Sequence, residues 1–266
     1  MKKMTKFLLI VSIICIVLGG VIMGVGLFCG GKAVVGWDKN KHRFVELGEQ
    51  DYVTLEKTRI DDFKNIDIDL DNESVYLIPD DDFYIEYSVY SYDKDETLHS
   101  VNNDTLKVKM QKDVFVFNFG IDFNGDKDTY VKIYYPKDTD FESININLDM
   151  GNLEVKGCNS DYFTADLDMG SLEVKDCKFN DASVYLDMGS LDFDDVSLGK
   201  LDAELDMGSA DLSLIKDKKK SYGYDLEVDM GSIEINDKEK KNTYRSDGDN
   251  VISIYCDMGD IEINEK

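Results

Sequence analysis

Hydrophobic and polar residues alternate with period two along most of this chain. Ile144, Ile146 and Leu148 point one way and Asn145 and Asn147 the other; after a short break, Leu153 and Val155 alternate with Glu154 and Lys156. Such alternation puts one face of a β-strand in a core and the other in water. The pattern also recurs. Asp-Met-Gly occurs at Asp149, Asp168, Asp187, Asp206, Asp229 and Asp257, at intervals of 19, 19, 19, 23 and 28 residues. Apolar columns keep phase with it. Before the motif stand Leu148, Leu167, Leu186, Leu205, Val228 and Cys256; after it stand Leu153, Leu172, Leu191, Ala210, Ile233 and Ile261. A third column is Val155, Val174, Phe193, Leu212, Ile235 and Ile263. The pattern predicts an all-β fold, a β-solenoid of stacked coils of ~19 residues, with strands roughly 4.8 Å apart and one shared core. No coil could bury its apolar face alone. Polar insertions at Lys216 to Gly223 and Asp237 to Asn250 account for the longer intervals and are expected as loops bulging from one side.

The array begins in degenerate form. Residues 66–77 alternate in the same way without Met-Gly, and Phe83 to Tyr92, Thr105 to Gln111, Asp113 to Phe119 and Thr129 to Tyr135 read as longer strands or hairpins that start and cap the stack. At each corner glycine supplies a positive φ without a Cβ penalty. The aspartate is suited to accept a hydrogen bond from the backbone two residues on, as an Asx-turn. The recurring methionine has two readings: a flexible thioether filling space at the turn, or a stripe for copper or another ligand.

The N-terminus follows another pattern. Phe7 to Phe28 carries no charge, and 22 residues at helical rise span roughly 33 Å, enough for a bilayer core. Residues 1–31 are therefore expected as a transmembrane anchor, 32–58 as a polar juxtamembrane linker with Trp37 at the interface, and 59–266 as the solenoid. Lys2, Lys3 and Lys6 precede the span, while Lys32, Lys39, Lys41 and Arg43 follow it, so loop charge decides little about orientation. Gly20-x-x-x-Gly24 and Gly26-x-x-x-Gly30 have helix-pairing spacing.

Charge narrows the list of partners. Fifty-five acidic against 30 basic residues give a net charge of −25, a field that repels nucleic acid and anionic lipid headgroups and favours cations, cationic peptides and basic surfaces. With 15 Tyr and 13 Phe the chain is too aromatic for a disordered acidic tail. The corner aspartates and a second acidic column (Glu154, Glu173, Asp192, Asp211, Glu234, Glu262) suggest calcium, although the nonapeptide of calcium-binding β-rolls is missing. Enzyme chemistry finds little support. Histidine occurs only at His42 and His99 and arginine only at Arg43, Arg59 and Arg245, and the interruptions of the repeat are lysine-rich loops. No catalytic, cofactor-binding or metal-ligating residue is assigned. Cys158 and Cys177 share a coil position one period apart and read as a reduced buried pair or a disulfide, and Cys256 reads as core.

Three features together resemble a known group: Tyr130-Val131-Lys132-Ile133-Tyr134-Tyr135-Pro136, then Phe141 to Leu148, then the repeated Asp-x-Gly-[Ser/Asn]-[Leu/Ile]-x-[Val/Ile]. The chain over 59–266 is similar to the bacterial adhesin-like family, uncharacterised β-strand-repeat domains often found behind one transmembrane helix. The resemblance implies a β-solenoid at a Gram-positive cell envelope, with the C-terminal domain extracellular and no catalytic residues. The expected function is a non-catalytic, membrane-anchored surface module, an adhesin or envelope-stress element, binding a protein, cell-wall component or cationic peptide. The loops at Lys216 to Lys220 and Lys238 to Asp247 would be its variable features. The alternative is a calcium-stabilised or carbohydrate-active β-helix.

Overall fold

The computed structural model describes residues 12, 18–21, 34–38, 43–46, 51–91, 97–110, 114–118, 128–216 and 221–266. Of the expected span Phe7 to Phe28, only Ser12 and residues 18–21 fall among them, and these are helical. Among the described residues no helix is long and apolar enough to cross a membrane. The chain divides into two compact units. In the first (Met1–Gln50 with Gln111–Asp126), Val34–Asp38 is the centre of a three-stranded antiparallel sheet between Arg43–Glu46 and Val114–Asn118. Two of these strands thus lie in the stretch read as linker, and the third pairs with one of them rather than with a coil.

The second unit (Asp51–Met110 with Lys127–Lys266) is the predicted all-β stack. Its regular coils are Thr139–Met150 with Leu153–Lys156 (first), Cys158–Lys175 (second), Lys178–Leu214 (third and fourth), Tyr222–Met230 with Ile233–Ile235 (fifth) and Asn250–Met258 with Ile261–Glu265 (sixth). Pairing is parallel and in register at the motif: Met150 opposite Met169, Met169 opposite Met188, Leu153 opposite Leu172. The apolar columns are buried as the alternation requires. Volume is traded between coils. Ser160 and Phe163 of the second coil face Phe179 and Ala182 of the third, and the two rings stack 4.5 Å apart and 2° from parallel. Each coil supplies one large and one small residue, which keeps packing density even up the stack.

Chain order and spatial order differ at both ends. The fourth coil pairs with the sixth (Lys200 opposite Val251, Met207 opposite Met258), and the sixth with the fifth (Tyr222 opposite Asn250, Met230 opposite Met258). The last coil is therefore inserted between the fourth and fifth. At the other end, the degenerate coil (Asn65–Leu70, Ser74–Asp80) lies between the first coil and an outer layer made of Thr105–Lys109 and Tyr130–Pro136. Outer layers end on antiparallel strands. Tyr84–Ser91 pairs with Tyr130–Pro136 and with Asp51–Arg59, and His99–Asn102 with Thr105–Lys109. Thr243–Ser246 and Glu239–Lys240 cover the fifth coil. The insertion expected at Asp237 to Asn250 as a bulging loop is thus an edge cover, which keeps the open ladder from pairing with another chain.

The corner glycines form a backbone column. A Cβ built on Gly170 would sit 1.8 Å from the Gly151 carbonyl oxygen, on Gly189 1.6 Å from that of Gly170, and on Gly208 1.9 Å from that of Gly189. On Gly259 it would meet the Gly208 oxygen at 1.5 Å, and on Gly231 the Gly259 oxygen at 1.7 Å, in the same permuted order. The positive φ expected at every corner is found at five of the six, as at Gly189 (155°), and not at Gly208; the close approach is what all six share. Glu73 stands in the glycine slot of the degenerate coil, in register with Gly151, where no further glycine precedes it. A second corner, unnoticed in the sequence, turns on left-handed residues one period apart: Asp138, Gly157, Asp176 and Asp195, with φ of 53° to 61°. Short polar side chains and glycine tolerate that region best.

Candidate functional surface

The corners put aspartate and methionine side by side on the outside. The six ladder methionines are 39–62 % exposed, so the reading in which the thioether fills space at the turn does not hold. The Asx-turn expectation also changes. The amide two residues beyond Asp149, that of Gly151, donates to the Met169 carbonyl at 3.0 Å, and Gly259 N donates to Met230 O at 3.0 Å. These turns are held by the neighbouring coil. Inter-coil bonds take the amide because the parallel ladder must satisfy every backbone donor. The methionine side chains are left facing water at a turn that does not need them; Asn72 occupies the methionine slot of the degenerate coil, whose aspartate slot is kept by Asp71.

The second acidic column stacks as predicted, Glu154 beside Glu173, Glu173 beside Asp192, and Asp211 beside Glu262. Partial burial, then the neighbouring carboxylates, pushes Asp192 and Asp211 above the ordinary aspartate range. Asp166, beside the corners, is raised for the same reasons, by burial and then by Asp168 and Asp187. Lysines relieve part of this. Lys175 and Lys266 both reach Asp194, at 2.7 and 3.2 Å, and hold it low. Among the described residues no three His, Cys, Asp or Glu side chains converge in a group able to hold a metal ion.

A different cluster covers the N-terminal end. Tyr130 and Tyr134 hydroxyls donate to Glu86 at 2.8 and 2.9 Å, and Lys132 adds an ion pair at 3.3 Å. Those donors hold the Glu86 carboxyl low against the opposing effect of burial, and burial followed by Glu86 pushes Tyr134 up to about 12. Lys57, paired with Asp80, lies over the Tyr84 and Tyr134 rings at 4.5 and 4.3 Å. Every polar atom named here is engaged by another, as in a structural network. Two clefts remain. One of about 570 Å³ is lined by Arg59, Asp61, Asp62 and His99 among others. Another, of about 380 Å³, runs along Lys64, Asp140, Asn159 and Lys178. In the second, Asn159 donates to Asp140 at 2.8 Å.

Cys158 and Cys177 are buried thiols with sulfurs 3.8 Å apart, and Cys256 is buried in the column where other coils have leucine or valine. Of the lysine loops, residues 217–220 lie outside the described residues, whereas Glu239–Lys240 and Thr243–Ser246 are strands.

No curated protein matches the chain. Solved structures similar to it include a candidate cell adhesion protein from Clostridium sporogenes (12 % identity, 82 % of this chain and 100 % of that one, TM-score 0.46). Others are a candidate adhesin from Bacteroides fragilis (11 % identity, 81 % and 97 %, TM-score 0.43) and one from Parabacteroides distasonis (12 % identity, 82 % and 98 %, TM-score 0.33). The Toastrack DUF4097 model matches residues 63–216, from the entry to the degenerate coil through the fourth regular coil and short of the two permuted ones. That match covers more than half of the sequence, and the chain belongs to the Toastrack DUF4097 family.

Proposed function

We propose that the protein is a non-catalytic, single-pass membrane protein. In this reading Phe7 to Phe28 is the anchor, and the solenoid stands outside the cell membrane as a rigid acidic surface for a protein, a cell-wall component or a cationic peptide. One observation supports the binding half: the exposed carboxylates are stacked in register along the coils rather than scattered. A lone carboxylate binds a cation weakly in water, but a column repeated about every 4.8 Å engages a multivalent cationic partner at many points at once. The net charge of −25 adds long-range attraction. The anchor half rests on the uncharged run of 22 residues.

Two measurements test it. The full chain in lipid nanodiscs is titrated with a fluorescent oligolysine and with purified cell wall at rising salt. Saturable binding that weakens steeply with salt is expected, and no binding at low salt to either probe would overturn the proposed surface. In intact cells, an added protease should remove a C-terminal epitope; a protected epitope would overturn the outward placement.

A further inference from the structure

We propose that the methionine ridge is a binding site for a soft monovalent cation, Cu(I) in chemical class, held between thioethers of adjacent coils. Met150, Met169, Met188, Met207, Met258 and Met230 follow one another up the stack in that spatial order. All six side chains are exposed, and the corner hydrogen bonds use only their backbone groups. Parallel pairing sets neighbouring methionines about 4.8 Å apart at the backbone, and a three-torsion side chain lets two sulfurs converge on one ion between them.

Comparison of the coils points to sulfur rather than to apolarity. The exposed column two residues before the corner aspartate has drifted through Asn147, Asp166, Tyr185, Glu204, Glu227 and Tyr255. Across the same six coils the exposed methionine position has not drifted; only the degenerate coil departs from it, with Asn72. The adjacent glycine is constant for a steric reason; the methionine has no such reason. If the site wanted only an oily residue, leucine, isoleucine and phenylalanine would have served. The apolar stripe is also one residue wide, bounded by the aspartates and by Gly-Ser, Gly-Asn or Gly-Asp, too narrow for the broad apolar anchors of a protein interface. The thioether is the property that methionine does not share with leucine or isoleucine, and thioethers select Cu(I) over harder cations. The aspartate column supplies counter-charge and raises the local cation concentration.

The test uses Ag(I), a redox-inert soft probe, added to the full chain carrying carbon-13 in its methionine methyl groups. Of the ten methionines, Met1, Met4, Met23 and Met110 fall outside the Asp-Met-Gly motifs and serve as internal references. The six ridge methyl signals should shift at low Ag(I) and saturate at roughly three ions per chain, one for every two methionines. A variant with all six replaced by leucine should fold as judged by circular dichroism and bind at least tenfold more weakly. Three results would overturn the proposal: ridge methyls that ignore Ag(I), an all-leucine ridge that binds as well, or ridge methyls that answer only to a cationic amphipathic peptide. In the parent the readout is the thioether methyl, so silver captured by the cysteines does not score; the leucine variant is compared by total bound Ag(I) with all five cysteines replaced by alanine in both chains, and the outcome is independent of oligolysine binding.

Discussion

Replacing Gly189 by alanine tests what sets the coils in register. Its new Cβ would lie 1.6 Å from the Gly170 carbonyl oxygen, where an ordinary contact is about twice that, and the obstacle is backbone rather than a movable side chain. Relief requires the third coil to lift from the second at its corner by on the order of 1.5 Å, which a ladder of strands about 4.8 Å apart cannot absorb without losing hydrogen bonds. The backbone conformation, φ 155°, costs a β-carbon residue about 1–3 kcal/mol. Two buried backbone groups left unpaired add about 1–3 kcal/mol each. The total is at least about 3 kcal/mol, a large share of the 5–15 kcal/mol by which domains are stable. For a unit of this size that lowers Tm by roughly 6–12 °C. The assay is thermal and urea unfolding of the full chain followed by far-ultraviolet circular dichroism. Met188→Leu, next door and exposed, serves as control and should stay within about 0.5 kcal/mol. Gly151→Ala should be milder, since its Cβ meets the Glu73 oxygen at 2.4 Å. If Gly189→Ala unfolded within about 1 kcal/mol of the parent, the glycine column would not be what locks the stack.

Truncation after Asp249 removes the inserted sixth coil and with it the parallel partner of the fifth, so residues 222–246 should become sensitive to protease and rapid in hydrogen exchange while the first four coils stay protected; sequential stacking would predict a fifth coil still docked on the fourth. Asp211→Asn should stabilise the fold at pH 7 by up to about 0.8 kcal/mol for each like-charged neighbour near 5 Å, less in high salt. The sign follows from the raised carboxyl: its ionised form is disfavoured in the fold, so the parent loses stability as pH rises through the interval between the ordinary aspartate range and the raised value. The gain of the asparagine variant should therefore be complete above that interval and absent below pH ~3.8; a gain that persists in acid would point to a cause other than charge.

Much of the core was legible because two periods were superposed, two residues for the strand and 19 for the coil. Every column read from the alternation is buried, Cys256 included, because exchanging sides along a strand would expose a whole apolar face. The surface was less legible. Methionine is a common core residue, and nothing in a linear pattern says whether a corner residue turns in or out; the close glycine contact closes the inside of the turn and leaves the methionine outside. Local sequence shows only local donors and so points to the aspartates as turn acceptors. The carbonyl that takes the Gly151 amide belongs to Met169, one coil away. The column Asp138, Gly157, Asp176 and Asp195 did carry a period-19 signal, but it is short, polar and mixed with other acidic residues, and it became visible through its left-handed φ.

The order of the layers lay outside the reach of sequence. Alternation and motif spacing determine which residues share a column, since that depends only on local strand geometry and the burial of one face. Which coil lies beside which depends on free energies of contact between segments whose inward faces are nearly identical, Leu205, Cys256 and Val228 all fitting the same slot. The tertiary structure decided it. The strands Glu239–Lys240 and Thr243–Ser246 occupy the outer edge of the fifth coil, and the free parallel edges of the fourth and fifth coils remain for the sixth to fill.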